Sequence, residues 1–530
     1  MLHSLLLSST LWIGQSGSPP IETLPVELRP SHRTQTTVPD ETPAATAPLP
    51  PAPARLPDIV PEQPAPAAAK PRQAPQWWWG YLQSPPQDMQ PAPLTMAPDQ
   101  PPPLKAPEKP PAPVEFSVPA LPPPLAVPAA APAAPGAASP PSRWMLMRCL
   151  QGTWWGACMD TERFSIYGWD QMSFTGSTVD DLNLPMSWNY RANQFLLQQN
   201  WVRFDRSVIT TGTTEPTFGG RVDMIYGTDY RFTLPQRGLL QDQLTDGPGG
   251  TPQEYGFDPV QMYGEAYFPT IFRGLDLKVG RFYCLYGVES IEAVSTPLIS
   301  HSYTFSNGSP FTHTGLMATA VVTPIWTVQV MAVVGSDLFI SEADRPTFSG
   351  SIQWTQPGGR NLVKASTILG PGKFEQDLNV NNINVFDVVY THLFSSRPNS
   401  YSTLHPEWTM PIPSPGMSYQ AEALFGYQRD APLPNGSVGT ALWYSFVQYL
   451  NYQFTPRLCG VARLEFFEDM QGQRTGFKGL YTAPALCGIY KLKPGVVICS
   501  ELRYDYNEEN RAFDNNKNLF TAAADLILRW

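Results

Sequence analysis

The chain has 530 residues, 35 Lys and Arg against 45 Asp and Glu, and a formal net charge of −10. No basic cluster or stripe runs along it, which excludes the electrostatic footprint of a nucleic-acid partner. Composition splits it in two: 37 of the 60 prolines precede residue 142, while 56 of the 63 aromatics follow residue 150.

The N-terminus, MLHSLLLSSTLWIGQSGSPP, carries a short apolar run from Leu5 to Gly14 followed by small residues. That is the layout of a secretory signal over residues 1–18, although no Lys or Arg precedes the apolar run. Residues 19–142 contain strings such as QPPPLKAPEKPPAPVEF and ALPPPLAVPAAAPAAPGAASPP. Proline at this density removes backbone donors and fixes φ, so a disordered or polyproline-II linker is expected. The run Trp77-Trp78-Trp79-Gly80-Tyr81 interrupts it, either as a contact point or as an incidental sticky spot.

Residues 143–159 are compatible with one short pre-barrel helix burying Trp144, Leu146, Met147, Leu150, Trp154 and Trp155. It reads equally as a collar at a barrel entrance or as a plain connector. From residue 160 to 530 the hydrophobic period becomes two, the signature of strands with one face apolar and the other polar. In RVDMIYGTDYRF (221–232), Val222, Met224, Tyr226, Thr228, Tyr230 and Phe232 oppose Arg221, Asp223, Ile225, Gly227, Asp229 and Arg231. The same alternation runs from Met417 to Gln428 and from Val496 to Tyr506.

About 16 such segments start near residues 161, 193, 219, 260, 273, 311, 325, 347, 359, 384, 417, 438, 457, 479, 494 and 517. Each has about 23 residues with its connection, and a strand crossing hydrocarbon needs roughly 9–11. The apolar stretch at 318–335 carries Pro324 and Gln329 and favours two strands over a spanning helix. The predicted fold is all-β: a transmembrane antiparallel β-barrel, since in lipid only a closed sheet or a helix satisfies its backbone. The chain ends at Trp530 with Leu528, Leu526, Ala524, Ala522 and Phe520 on one face. Such a strand matches what the barrel-assembly machinery recognises.

The strings GGRVDMIYGTDYRF (219–232), GLDLKVGRFYCLYGVESIEAVSTPLISHSYTF (274–305) and PFTHTG (310–315) carry a resemblance. On them, the C-terminal 70% of the chain resembles the putative β-barrel porin-2 family, the OmpL-like porins. The resemblance implies a channel with no assigned substrate, no catalytic residue and no cofactor.

Residues 287–305 break the alternation and contain Glu289, Glu292 and His301. They read as a loop folded into the lumen, with the two glutamates facing Arg281 or Lys278, or as an ordinary wall-packed or outer loop. Pore-lining candidates by phase are Arg221, Asp223, Asp229, Arg231, Glu265, Asp276, Lys278, Arg281, Arg463, Glu465, Glu501, Arg503 and Asp505. Singly each reads as a salt-bridged wall residue, and together they imply an aqueous interior. A metal on His301 and His313 with Glu289 or Glu292 matches no ligand spacing, and no nucleophile motif accompanies His313 or His392. The six cysteines form no CxxC pair, and Cys487 and Cys499 face each other only if one hairpin joins them.

The expectation is an outer-membrane porin for passive diffusion of small hydrophilic solutes or ions, with the proline-rich segment in the periplasm. Its partners would be outer-membrane lipid, the assembly machinery and its solutes. Porins of this size often trimerise, but the alternation marks no flat protomer face, so a homo-oligomer stays open. The alternative is a narrow or plugged barrel linking the membrane to the periplasm.

Overall fold

The computed structural model describes residues 144–247, 252–340, 345–357, 359–371, 382–394 and 416–530. The expected leader, the expected proline-rich linker and the Trp77–Trp79 run lie outside the described residues. Two short helices, α1 (Met145–Leu150) and α2 (Trp154–Thr161), stand where the sequence suggests one. Gly152, at φ +81°, separates them, and the Thr153 hydroxyl caps α2 by accepting from the Gly156 amide at 3.0 Å.

Strands follow as the alternation begins: β1 (Phe164–Ser177), β2 (Gln194–Arg206), β3 (Thr217–Gly227), β4 (Gly256–Phe268) and β5 (Leu275–Tyr283). Next come β6 (Thr312–Thr323), β7 (Trp326–Val333), β8 (Thr347–Thr355), β9 (Asn361–Leu369), β10 (Ile383–Leu393) and β11 (Met417–Pro432). The last are β12 (Val438–Gln453), β13 (Leu458–Asp469), β14 (Gly479–Thr482), β15 (Ala485–Lys493), β16 (Val496–Asn507) and β17 (Asn518–Arg529).

β14 and β15 both lie between β13 and β16, so they are two halves of one stave interrupted at Ala483–Pro484. Pro484 has no amide to give the ladder. The wall therefore has 16 staves, each antiparallel to its neighbours. β1 pairs with β2 on one edge and β17 on the other, Trp169 standing opposite both Trp201 and Arg529, which closes the sheet. Every expected strand start lies within four residues of an observed one.

Burial follows the period of two. In β16, Val497, Cys499, Glu501, Arg503 and Asp505 are buried, while Ile498, Leu502, Tyr504 and Tyr506 are exposed. An outer wall of exposed Val, Leu, Phe and Tyr fits hydrocarbon, not water. No helix among the described residues is long and apolar enough to cross a membrane.

The alternation fails after Gly227. β3 ends there, and Tyr230–Thr233 wind into a buried helical turn, α3. The strand expected to continue to Phe232 is thus cut short. Tyr230 and Phe232 instead join the interior cluster, so tertiary burial overrides the local pattern.

The seam is completed by the chain ends. The Trp530 amide donates to the Gly168 carbonyl at 2.9 Å, and the Gly168 amide returns a bond at 3.0 Å. A Cβ on Gly168 would lie 2.7 Å from the Trp530 ring, so glycine lets the indole lie against the wall. Next to this seam the Ile166 amide meets the Met147 sulfur at 3.4 Å. α1 thus covers the end of the seam, with Trp144 stacked on Tyr167. Both chain ends of the barrel lie on one rim, here the terminal rim. The connections 178–193, 228–255 and 284–311 leave the opposite, far rim.

Candidate functional site

The connection from Cys284 to Phe311 decides the interior. Each of its residues is buried except Gly287, Val288 and Val294, which are half-buried. A connection on the outside of a barrel cannot be so covered, because loops left on a surface keep their backbone in water. Inside, its amides need partners, and the wall supplies them as carboxylates.

Gly287 and Val288 donate to Asp387 (β10) and Glu422 (β11) at 3.3 and 3.0 Å. Ile299 and Ser300 donate to Glu501 (β16) at 2.7 and 3.0 Å. Tyr303 donates to Glu465 (β13) at 2.8 Å, and so does Thr304. The carbonyls are held by cations and an indole. Arg463 reaches Ser300 O at 2.7 Å, Arg503 reaches His301 O at 2.6 Å, and Arg474 reaches Asn307 O at 2.6 Å. The Trp443 indole donates to Gly308 O at 2.8 Å. These contacts come from staves far apart around the ring, so the loop bridges the lumen.

Its own acids find partners across the interior. Glu289 accepts from Arg463 at 2.9 Å, Tyr449 at 2.7 Å and His301 Nδ1 at 3.0 Å. Burial alone would raise the Glu289 carboxyl, but the Arg463 charge and the His301 and Tyr449 bonds outweigh it and hold it at about 2. Burial lowers His301 against the pull of Glu289. Glu292 pairs with Arg203 of β2 and accepts from the Tyr283 hydroxyl at 3.2 Å. The glutamates therefore do not face Arg281 or Lys278, as the sequence suggested. Arg281 is taken by Asp258 at 2.6 Å and Lys278 by Glu265 at 3.1 Å, each within reach on the neighbouring stave.

Arg221 pairs with Asp205 at 2.8 Å, and Asp223 with Arg203 at 2.7 Å. Asp276 lies on β5 one stave from Glu265, opposite Tyr267. Arg503 pairs with Asp505 at 2.7 Å. Asp229 and Arg231 are not strand residues at all. Asp229 accepts from Gln199 at 3.0 Å, and burial pushes its carboxyl up to about 8 against that bond. Arg231 lies 4.1 Å over the Tyr190 ring.

The interior also holds something the charges did not announce. Trp188 from the 178–193 connection packs on Phe232, His301, Phe305 and Phe311. An apolar core therefore occupies part of the lumen that the charged phase marks as aqueous. His313 is buried on β6 with Nδ1 at 2.8 Å from Gly335 O, and Glu292 is held by Arg203, so the considered metal set does not converge. None of the six cysteines forms a disulfide in the described residues.

Sequence reasoning missed Arg203, Asp205, Asp258, Asp387, Trp443 and Tyr449. For Arg203 and Asp205 the signal was present: Trp201, Arg203 and Asp205 alternate with Val202 and Phe204. Asp258 precedes Pro259 and carries no such mark.

No curated protein matches the chain. Among solved structures it is similar to the outer membrane channel DcaP of Acinetobacter baumannii, at 10% identity over 69% of this chain and 97% of that one, with a TM-score of 0.44. It is also similar to an anion-selective porin from Comamonas acidovorans (8%, 69% and 99%, TM-score 0.45). A mutant of the porin of Rhodopseudomonas blastica is a third (10%, 69% and 100%, TM-score 0.39). The family model described as "Putative beta-barrel porin-2, OmpL-like" matches residues 165–529. That match takes in nearly the whole wall and most of the chain, which therefore belongs to the putative beta-barrel porin-2, OmpL-like family, as a passive channel of the outer membrane.

Proposed function

We propose that small hydrophilic solutes cross this barrel by passive diffusion, and that the 284–311 connection sets the narrowest passage. The observation that carries this reading is the anchoring of that loop to Asp387, Glu422, Glu465 and Glu501 on the opposite wall. A loop bonded at so many points is a fixed sieve, not a flap. Arg221, Asp223, Glu265, Asp276, Lys278, Arg281, Glu289, Glu292, Arg463, Glu465, Glu501, Arg503 and Asp505 act here mainly by shaping the passage. Most are neutralised in pairs, so selection by size outweighs selection by charge. No residue is given a catalytic role, and no cofactor enters. The proline-rich segment occupies the periplasm, Leu526, Leu528 and Trp530 form the assembly signal, and a homo-oligomer is compatible with this reading.

The aromatic cluster around Trp188 favours a second reading, a barrel narrow enough to serve chiefly as a structural link to the periplasm. Liposome swelling separates the two. On the first reading swelling falls steadily with sugar size, and replacing residues 288–305 by a short Gly-Ser linker admits larger sugars. No swelling with the smallest sugar, in a folded barrel, would contradict it.

A further inference from the structure

At the terminal rim α2 leaves two neighbouring indoles uncovered. Trp154 is 71% exposed and Trp155 65%, with ring centroids 4.8 Å apart, so they present one patch. The helix that carries them is firmly seated. Gly156 is buried against α1, where a Cβ would fall 2.1 Å from the Leu150 carbonyl oxygen. Just beyond the helix, Arg163 donates to Ser207 O and Phe218 O at 3.2 and 3.3 Å, and Arg206 donates to Glu162 O at 3.0 Å. The exposure is therefore a property of a fixed element.

The same rim exposes an aromatic at many of its connections: Phe164, Phe218, Phe272, Trp326, Phe394 and Phe454. Aromatic girdles flank the apolar band of a transmembrane barrel at the headgroup level, where amphipathic indoles are most stable. We propose that α2 continues this belt as a membrane-interface anchor, with Trp154 and Trp155 seated among phospholipid headgroups at the terminal rim. The partner is the bilayer surface. The inference rests on the barrel lying in a membrane and not on its conducting.

Cys158 lies four residues after Trp154 and three after Trp155, on their face of the helix. It is exposed, as is Cys149, whereas Cys284, Cys459, Cys487 and Cys499 are buried. The full chain carrying Cys149→Ser is labelled at Cys158 with a nitrobenzoxadiazole dye and folded into phosphatidylethanolamine–phosphatidylglycerol vesicles. Lipids brominated near the top of the acyl chain are expected to quench the dye about twofold, with little quenching by iodide on either side of the vesicle. Trp154→Ala with Trp155→Ala, in a barrel that still shows heat-modifiable migration, is expected to reverse that preference. Strong iodide quenching without a bromolipid effect would overturn the proposal. So would a dye shielded from both quenchers and uncovered by deleting residues 20–140, which would assign the patch to the proline-rich segment.

Discussion

Arg463 and Glu289 show how charge is handled inside the barrel. Both are buried, and each would be intolerable alone, because an ion taken from water needs a partner and further hydrogen bonds. Arg463→Met leaves the Glu289 carboxylate without its cation and is expected to cost about 3–5 kcal/mol in urea unfolding from detergent micelles. Arg463→Met combined with Glu289→Met should cost far less, and equal losses would show that the pair is not the reason. The same carboxyl sets a pH window. Its folded value is about 2 against an ordinary 4.5, so its stabilisation is complete above about 4.5 and disappears as pH falls through about 2. The advantage of the wild type over Glu289→Gln should shrink across that interval and stay flat above it; a constant difference down to pH 2 would contradict the assignment. The period of two placed these side chains on the inner face but said nothing of partners. Arg281 illustrates this: phase puts it inside, and only the fold shows that Asp258 lies closer than either loop glutamate.

At the scale of elements, the staves were legible because lipid outside and polar groups inside impose opposite demands on alternate residues. β16 follows that rule throughout, and β11 follows it to Gln428, after which a bulge shifts the register. The rule stops serving where a segment leaves the wall, as α3 does. Tyr230 and Phe232 keep the right spacing for a strand, yet they are drawn into a cluster with Trp188 and Tyr190 that no local pattern encodes. The lumen loop was visible only as a break in period; its anchors come from strands a hundred residues or more away. Gly426 on β11 serves that loop indirectly. A Cβ there would meet the Trp443 ring at 2.1 Å, and Trp443 holds Gly308. Gly426→Val is expected to displace the indole and destabilise the barrel by about 1–3 kcal/mol. It should also release residues 300–308 to faster amide exchange, and unchanged protection there would contradict the role given to Trp443.

For the whole molecule, closure of the ring and passage through it are separate matters. Removing Trp530 takes away two backbone bonds to Gly168 and the indole bond to Asp170 at 3.1 Å. Lower yields of folded barrel are expected, read by heat-modifiable migration, with unchanged properties in the fraction that folds. Deleting residues 20–140 should leave permeation intact if that segment is a linker, and loss of conductance would refute that reading. The most direct test is single-channel recording of the full chain in a planar bilayer under a salt gradient. Discrete ohmic steps with a reversal potential near zero are predicted, from a fixed passage whose charges are largely paired. A folded, heat-modifiable barrel that gives no steps would contradict the open channel and leave the structural reading in its place.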